Sequence, residues 1–152
     1  MSAIHTRTAT LADLDAVAPL FDSYRQFYEQ EPDPVAARHF IRERLQNAES
    51  VILLASSEAG KIVGFCQLYP IFCSIEARPI YSLSDLFVVP QARRSGAGKA
   101  LLVAAERLSS ETGRAKMELT TARTNKAAQS VYESLGWSRD EVFYAYSKRV
   151  GA

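Results

Sequence analysis

Between the apolar run Leu86-Phe87-Val88-Val89, closed by Pro90, and a helical pattern starting near Gly98 lies the segment Arg93-Arg94-Ser95-Gly96-Ala97-Gly98-Lys99. A glycine-rich strand-to-helix turn leaves the first backbone N–H groups of the helix without internal partners. They point outward at the positive end of the helix dipole, and glycine lets a ligand come close to the backbone. The natural guest is a phosphate or pyrophosphate, with Arg93, Arg94 and Lys99 adding positive charge. Three or four charge-assisted hydrogen bonds of about 1.5–3 kcal/mol each suffice for micromolar anchoring. The bland alternative is a Gly-rich turn with no ligand. A P-loop is excluded, because Arg93 stands where its first glycine belongs and Ala100 follows Lys99. A dinucleotide fingerprint is excluded as well, because Leu101 occupies its third glycine position.

A second chemical signal is Asp85, set in an apolar strand between Leu83 and Phe87. A regular strand puts all three on one face. A carboxylate among apolar neighbours holds its proton more tightly and suits base work. It could equally bind an ammonium, or pair structurally with Arg78 or Arg93. Tyr24, Phe27 and Tyr28, followed by Glu29, Glu31 and Asp33, combine rings with carboxylates, which suits a cationic amine. Tyr24 and Tyr28 also fit core packing, and the acids a solvated loop. Cys66 and Cys73 make neither a disulfide framework nor a metal set.

Several elements must position these groups. Residues 4–9 read as a strand, and Thr10 with Asp13 caps a helix carrying Leu14, Val17, Ala18, Phe21, Tyr24 and Tyr28. Asp33 caps a second helix with Pro34 at its first position, carrying Val35, Phe40, Ile41 and Leu45 and ending near Asn47. Strands are expected at 51–56, 61–69 and 80–89, the first two forming a hairpin and the last two joined by a loop over 70–79. A helix over 98–112, a strand over 116–122, a helix over 126–135 and strands at 137–139 and 143–149 complete the pattern. Hairpins in the first half and a crossover in the second imply a mixed sheet flanked by helices.

The 152 residues fit a single domain over 1–152. A formal net charge of +1 excludes a broad basic face for nucleic acid. No run approaches the roughly 20 apolar residues of a membrane helix, and the first residues lack a signal peptide's apolar core, so the expectation is a cytoplasmic protein.

Arg93-x-x-Gly96-x-Gly98 after a Pro-terminated strand, with Asn125, Tyr132 and Gly136-Trp137 downstream, resembles the two motifs of the GCN5-related N-acetyltransferase (GNAT) superfamily. The resemblance covers the whole chain. It implies an α/β fold with a mixed sheet: a mostly antiparallel N-terminal half, a splayed parallel strand pair and about four flanking helices. It also implies an acetyl-CoA site and no metal. The pyrophosphate would lie on the amides from Arg93 through Lys99, including Arg94, Ser95, Gly96, Ala97 and Gly98. The pantetheine arm would pair with the strand backbone at Phe87 and Val88, with Leu86-Phe87-Val88 as an exposed edge. Asn125 would touch the far end of the arm. Tyr24 and Tyr28 would line the acceptor pocket.

For such a transfer, an amine with a pKa near 10 is neutral in about one molecule per thousand at pH 7, so a base is needed. Asp85 is the candidate base. The departing thiolate benefits from an acid, and the resemblance implies Tyr132, which the residues alone would also allow as a core aromatic. Ser84 stands where the polyamine-acetylating branch carries glutamate, which argues against polyamine specificity and admits a water held through Ser84. The implied function is acetyl transfer to a primary amine of a small molecule. The alternatives are a protein or peptide acetyltransferase and a non-catalytic CoA-binding regulatory domain. The apolar segment Phe143-Tyr144-Ala145-Tyr146 could pair across a homodimer.

Overall fold

A computed structural model describes residues 3–151, and their contacts divide into one unit reaching Thr120 and another starting at Thr121. In the first unit the strands β1 (His5–Thr8), β2 (Val51–Ser56), β3 (Ile62–Cys73), β4 (Arg78–Val88) and β5 (Met117–Glu118) form one sheet in that order. The first four pair antiparallel, and β4 pairs parallel with β5. The helices are α1 (Leu14–Phe27), α2 (Pro34–Gln46) and α3 (Ala97–Glu111). This is the mixed α/β architecture the sequence implied.

Local chemistry sets the helix starts. A single 3₁₀ turn, Leu11–Asp13, precedes α1, and the Asp13 carboxylate accepts the Thr10 N–H at 2.8 Å while bridging Arg7 at 2.7 Å. Asp33 accepts the Ala36 N–H at 3.0 Å and starts α2, with Pro34 where no N–H is needed. Val17, Phe21 and Ile41 pack from these helices onto Ile52, Leu54, Phe65 and Phe87 of the sheet. Burying each such side chain stabilises by about 1.5–3 kcal/mol. The alternate residues Leu53, Cys66 and Leu68 are also buried, and α3 contacts β2, β3 and β4 through a helix whose Leu101, Leu102 and Ala105 are buried. Val35 stays exposed on α2, where Ala37 and Ile41 carry the buried face instead.

Three expectations about strands are corrected. Residues 70–73 and 78–79 are not loop but continue the β3–β4 ladder as far as Cys73 opposite Arg78. The prolines do not forbid this. The β2 ladder stops at Leu68, so Pro70 meets an open edge. Pro79 turns its carbonyl to the Ala115 N–H at 2.9 Å, away from β3, so its missing N–H costs no β3 bond. The strand expected over 116–122 shrinks to Met117 and Glu118, opposite Tyr81 and Ser82. No strand forms among the described residues beyond 136, where Phe143, Tyr144 and Tyr146 are exposed. An apolar run needs a partner edge before it becomes a strand.

The second unit contains α4 (Lys126–Ser134), capped by the Asn125 side chain, whose Oδ1 accepts the Ala128 N–H at 3.2 Å. Gly136 at φ +91° ends it, and the Trp137 N–H donates to the Tyr132 carbonyl at 3.1 Å. No helix among the described residues is long and apolar enough to cross a membrane.

Candidate active site

The β3–β4 ladder slips by one residue where the candidate base sits. Gln67 lies opposite Asp85 but Leu68 lies opposite Leu83, so Ser84 is the extra residue of a β-bulge. Residues opposite each other share a face. Asp85 therefore shares its face with Phe87, across from Phe65, while Leu83 falls on the other side. The regular strand assumed from sequence is thus corrected. The bulge also re-aims the backbone: the Ser84 carbonyl accepts the Tyr24 hydroxyl at 2.9 Å, and the Ser82 and Ser84 hydroxyls meet at 3.1 Å. Beyond Ser82, β4 has no strand partner on the β5 side among the described residues, which is the expected splay.

Asp85 is buried, at 6% exposure. Burial pushes its carboxyl up to about 6, against the Gln67 hydrogen bond and the nearby Tyr24 hydroxyl, which favour the charged form. Gln67 Nε2 donates to Asp85 Oδ2 at 2.6 Å. Neither arginine weighed as a structural partner is used: Arg78 donates to the Gly113 carbonyl at 3.5 Å and Arg93 Nε to the Val88 carbonyl at 3.0 Å. Burial, then the Asp85 charge, pushes the Tyr24 phenol above its usual value, and the same two causes push Tyr69 to about 12. Tyr28 meets the Tyr24 ring edge-on at 5.1 Å and is half exposed.

Tyr24, Ser84 and Asp85 thus come together, with Tyr28 against Tyr24. Sequence reasoning missed Gln67, Tyr69 and Ser82. The available signal was the lone amide in Phe65-Cys66-Gln67-Leu68, an otherwise apolar stretch. Asp33 is committed to capping α2 rather than to the site, while Glu29 and Glu31 are exposed.

At the glycine turn, Gly96 holds φ +90° as the N-cap of α3. The Ala97 N–H donates to Ser95 Oγ at 3.3 Å, and the Ala100 N–H is the first to find a helical acceptor, the Gly96 carbonyl at 2.9 Å. The Gly98 and Lys99 N–H groups lie between them, facing out of the helix end. A Cβ on Gly98 would meet only Val88 Cγ2, at an ordinary 3.9 Å, so packing does not demand glycine there. The bare backbone leaves room for a ligand.

Arg93 has a second task. Its guanidinium lies 5.8 Å from the Phe27 ring centroid and 5.6 Å from that of Phe87, and its Nε takes the Val88 carbonyl. Its Nε therefore braces the end of β4, while its charge stands with those of Arg94 and Lys99 in the same segment. The edge is also less open than expected. The Phe87 side chain is in the core, and the Val89 N–H bonds Val63 at 2.9 Å, so the Val88 N–H and C=O face the free side. Asn125 and Tyr132 belong to the second unit, where Asn125 caps α4 and the Tyr132 ring lies 6.0 Å from that of Trp137.

Residues 15–137 match the family model described as the acetyltransferase (GNAT) family. The chain is 45% identical over 149 residues to an uncharacterized N-acetyltransferase, YhfO, of Bacillus subtilis, covering 98% of this chain and 99% of the relative. It is 26% identical over 110 residues to the aminoglycoside N(6')-acetyltransferase type 1 of Salmonella typhimurium, covering 70% of this chain and 76% of the relative. A crystal structure of a probable acetyltransferase superposes with a TM-score of 0.90 at 38% identity, over 97% of this chain and 99% of that one.

Proposed function

The chain belongs to the acetyltransferase (GNAT) family and is an acetyltransferase that draws on acetyl-CoA, and from that premise we propose that its acceptor is a primary amine of a small cationic molecule. The observation that carries this reading is Asp85. It is a buried carboxylate whose burial raises its proton affinity, beside Tyr24 and Ser84, with no Lys or Arg paired to it among the described residues. A carboxylate so placed attracts an ammonium group and can take its proton, directly or through a water on the Ser82 and Ser84 hydroxyls. Its ordinary range near 4 would make it a poor proton acceptor. A value near 6 keeps it mostly ionised at pH 7 while bringing its basicity closer to the task.

The proposed step balances simply. The amine nitrogen forms a bond to the thioester carbonyl carbon, and the C–S bond breaks. One ammonium proton goes to Asp85 or its water before the attack, the nitrogen sheds a second as the C–S bond breaks, and the CoA sulfur leaves with one. We assign the sulfur's proton to Tyr132, which regains it from the one the nitrogen sheds, and the far end of the pantetheine arm to Asn125, both by correspondence with the family's second motif. The Gly98 and Lys99 amides, with Arg94 and Lys99 as counter-charges, hold the pyrophosphate. The Val88 N–H on the free side of β4 is a donor for the pantetheine arm. The similarity to an aminoglycoside N(6')-acetyltransferase supports an acceptor carrying several amines. The exposed Phe143, Tyr144 and Tyr146 support a homodimer built through the C-terminal segment, which sedimentation tests.

The deciding experiment is thiol release from acetyl-CoA across aminoglycosides, polyamines, amino acids and peptides. Turnover with polycationic small molecules is expected. Turnover with peptides alone would replace the small-molecule acceptor with a protein one. Tight CoA binding without transfer to any amine would overturn the catalytic assignment of Asp85.

A further inference from the structure

Gln67 is fully buried, at 0% exposure, in the middle of a sheet. An apolar residue of similar volume would fill that place without the cost of desolvating an amide, so the amide calls for a polar reason. Both of its ends are used. The Ser50 hydroxyl donates to Gln67 Oε1 at 2.7 Å, and Gln67 Nε2 donates to Asp85 Oδ2 at 2.6 Å. The ionised Asp85 carboxylate, which can only accept, sets which way the amide points, and the Ser50 hydroxyl, able to donate or accept, then satisfies Oε1 from behind. An ionised carboxylate only accepts hydrogen bonds, so this arrangement favours the charged form and leaves Oδ1 as the oxygen that can receive a proton. The pair lies where the β3–β4 register shifts, next to the bulged Ser84.

We propose that Gln67 is a positioning residue for Asp85, and that the Ser50–Gln67–Asp85 chain sets the pH at which Asp85 can accept a proton. The inference rests on Asp85 being the base. The other titratable groups coupled to Asp85 are Tyr24 from α1 and Tyr69 and Cys66 from β3; Tyr28 acts on Tyr24, and Arg44 and Glu49 act on Tyr69. Tyr24, Tyr69 and Cys66 are all held up by burial, the last two to about 12, and stay neutral where Asp85 titrates. Asp85 is then balanced between burial, which raises its proton affinity, and the Gln67 bond, which lowers it.

The test replaces the donor without emptying the site. Gln67→Met keeps the volume, and Ser50→Ala removes the partner of Oε1 and loosens the amide; each is followed by ¹³C NMR titration of the Asp85 carboxyl and by the pH profile of kcat/KM. In Gln67→Met the Asp85 midpoint is expected to rise by about one pH unit or more, the worth of a hydrogen bond to a charged group. The acid limb of kcat/KM should move with it, while activity on the high-pH plateau stays within a few-fold. Ser50→Ala should move both the same way by less, and this variant carries the test if Gln67→Met fails to fold. An unmoved midpoint in a folded variant, with only a lower melting temperature, overturns the proposal and makes Gln67 purely structural. A midpoint that moves while the acid limb stays put supports the positioning role of Gln67 and instead refutes Asp85 as the base.

Discussion

The Tyr24 hydroxyl donates to the carbonyl oxygen of Ser84 at 2.9 Å, tying α1 to the residue at which β4 bulges. The same phenol lies near enough to the Asp85 carboxyl to lower its proton affinity. Tyr24→Phe removes the donor and keeps the ring stack with Phe21. We expect a loss of about 1 kcal/mol in denaturant stability, the net worth of one such bond. The acid limb of kcat/KM should also shift to higher pH. Unchanged stability together with an unmoved limb would show that this link serves neither purpose.

Asp85 also predicts how stability responds to pH. Its folded-state value, about 6, lies above the ordinary 3.8, so the folded state binds more protons between those two values. Stability should therefore fall as pH rises from about 4 to about 6, by up to about 3 kcal/mol at 1.36 kcal/mol per unit. Asp13 has the opposite sign: Arg7 holds it down to about 2, so its contribution is present above about 4 and is lost as pH falls through 2. Asp85→Asn removes the burial cost of the charge. It should stabilise the protein at pH 7.5 by about 1–3 kcal/mol and flatten the dependence between pH 4 and 6. It should also lower kcat/KM by at least about 100-fold. Chemical denaturation across pH, beside kinetics, reads both.

Most of the fold was legible because its signals are local. Asp33-Pro34 marked a helix start, and continuous apolar runs marked the buried strands. The candidate base was legible as one carboxylate among apolar residues. The bulge at Ser84 was not, because a one-residue register slip is set by pairing with β3 and leaves no composition signal in β4 alone. Gln67 was passed over for the same reason: its meaning appears only when Asp85 is opposite it. The strands expected at 137–139 and 143–149 rested on apolar residues such as Phe143-Tyr144-Ala145-Tyr146, which record what could be buried and say nothing of whether an edge is there to receive them.

Asp22 is a buried carboxylate of α1 whose Oδ1 accepts the Asp33 N–H at 2.9 Å and whose Oδ2 accepts Gln26 Nε2 at 3.1 Å. It thereby pins the α1–α2 loop that carries Glu29 and Glu31. Asp22→Ala leaves the Asp33 N–H without its partner and should cost about 1–3 kcal/mol. If that loop helps to hold a cationic acceptor, the acceptor KM should rise several-fold while the Kd for CoA stays put. Equal losses in both would place the loop outside acceptor recognition.

Tyr132→Phe tests the proposed acid. General acid catalysis contributes about 10²–10⁴-fold, so kcat should fall into that range while calorimetry still shows CoA binding. A kcat within a few-fold of the unaltered protein would remove Tyr132 from the proton path.

The two glycines of the turn separate folding from binding. Gly96 holds φ +90°, so Gly96→Ala should destabilise by about 1–2 kcal/mol through left-handed strain alone. Gly98 carries no such demand, and an added methyl meets only Val88 Cγ2 at 3.9 Å. Because alanine favours a helix over glycine by up to about 1 kcal/mol, Gly98→Ala should be as stable as the original or more so. The signature this turn resembles admits glycine or alanine at this place, so the methyl should also leave CoA affinity within a few-fold. Gly98→Glu instead sets a carboxylate beside the Gly98 and Lys99 amides, where it competes with and repels a diphosphate. CoA affinity should then drop at least tenfold in a protein that melts no earlier. If Gly98→Glu binds CoA as tightly as before, the amides at the start of α3 are not what hold the cofactor.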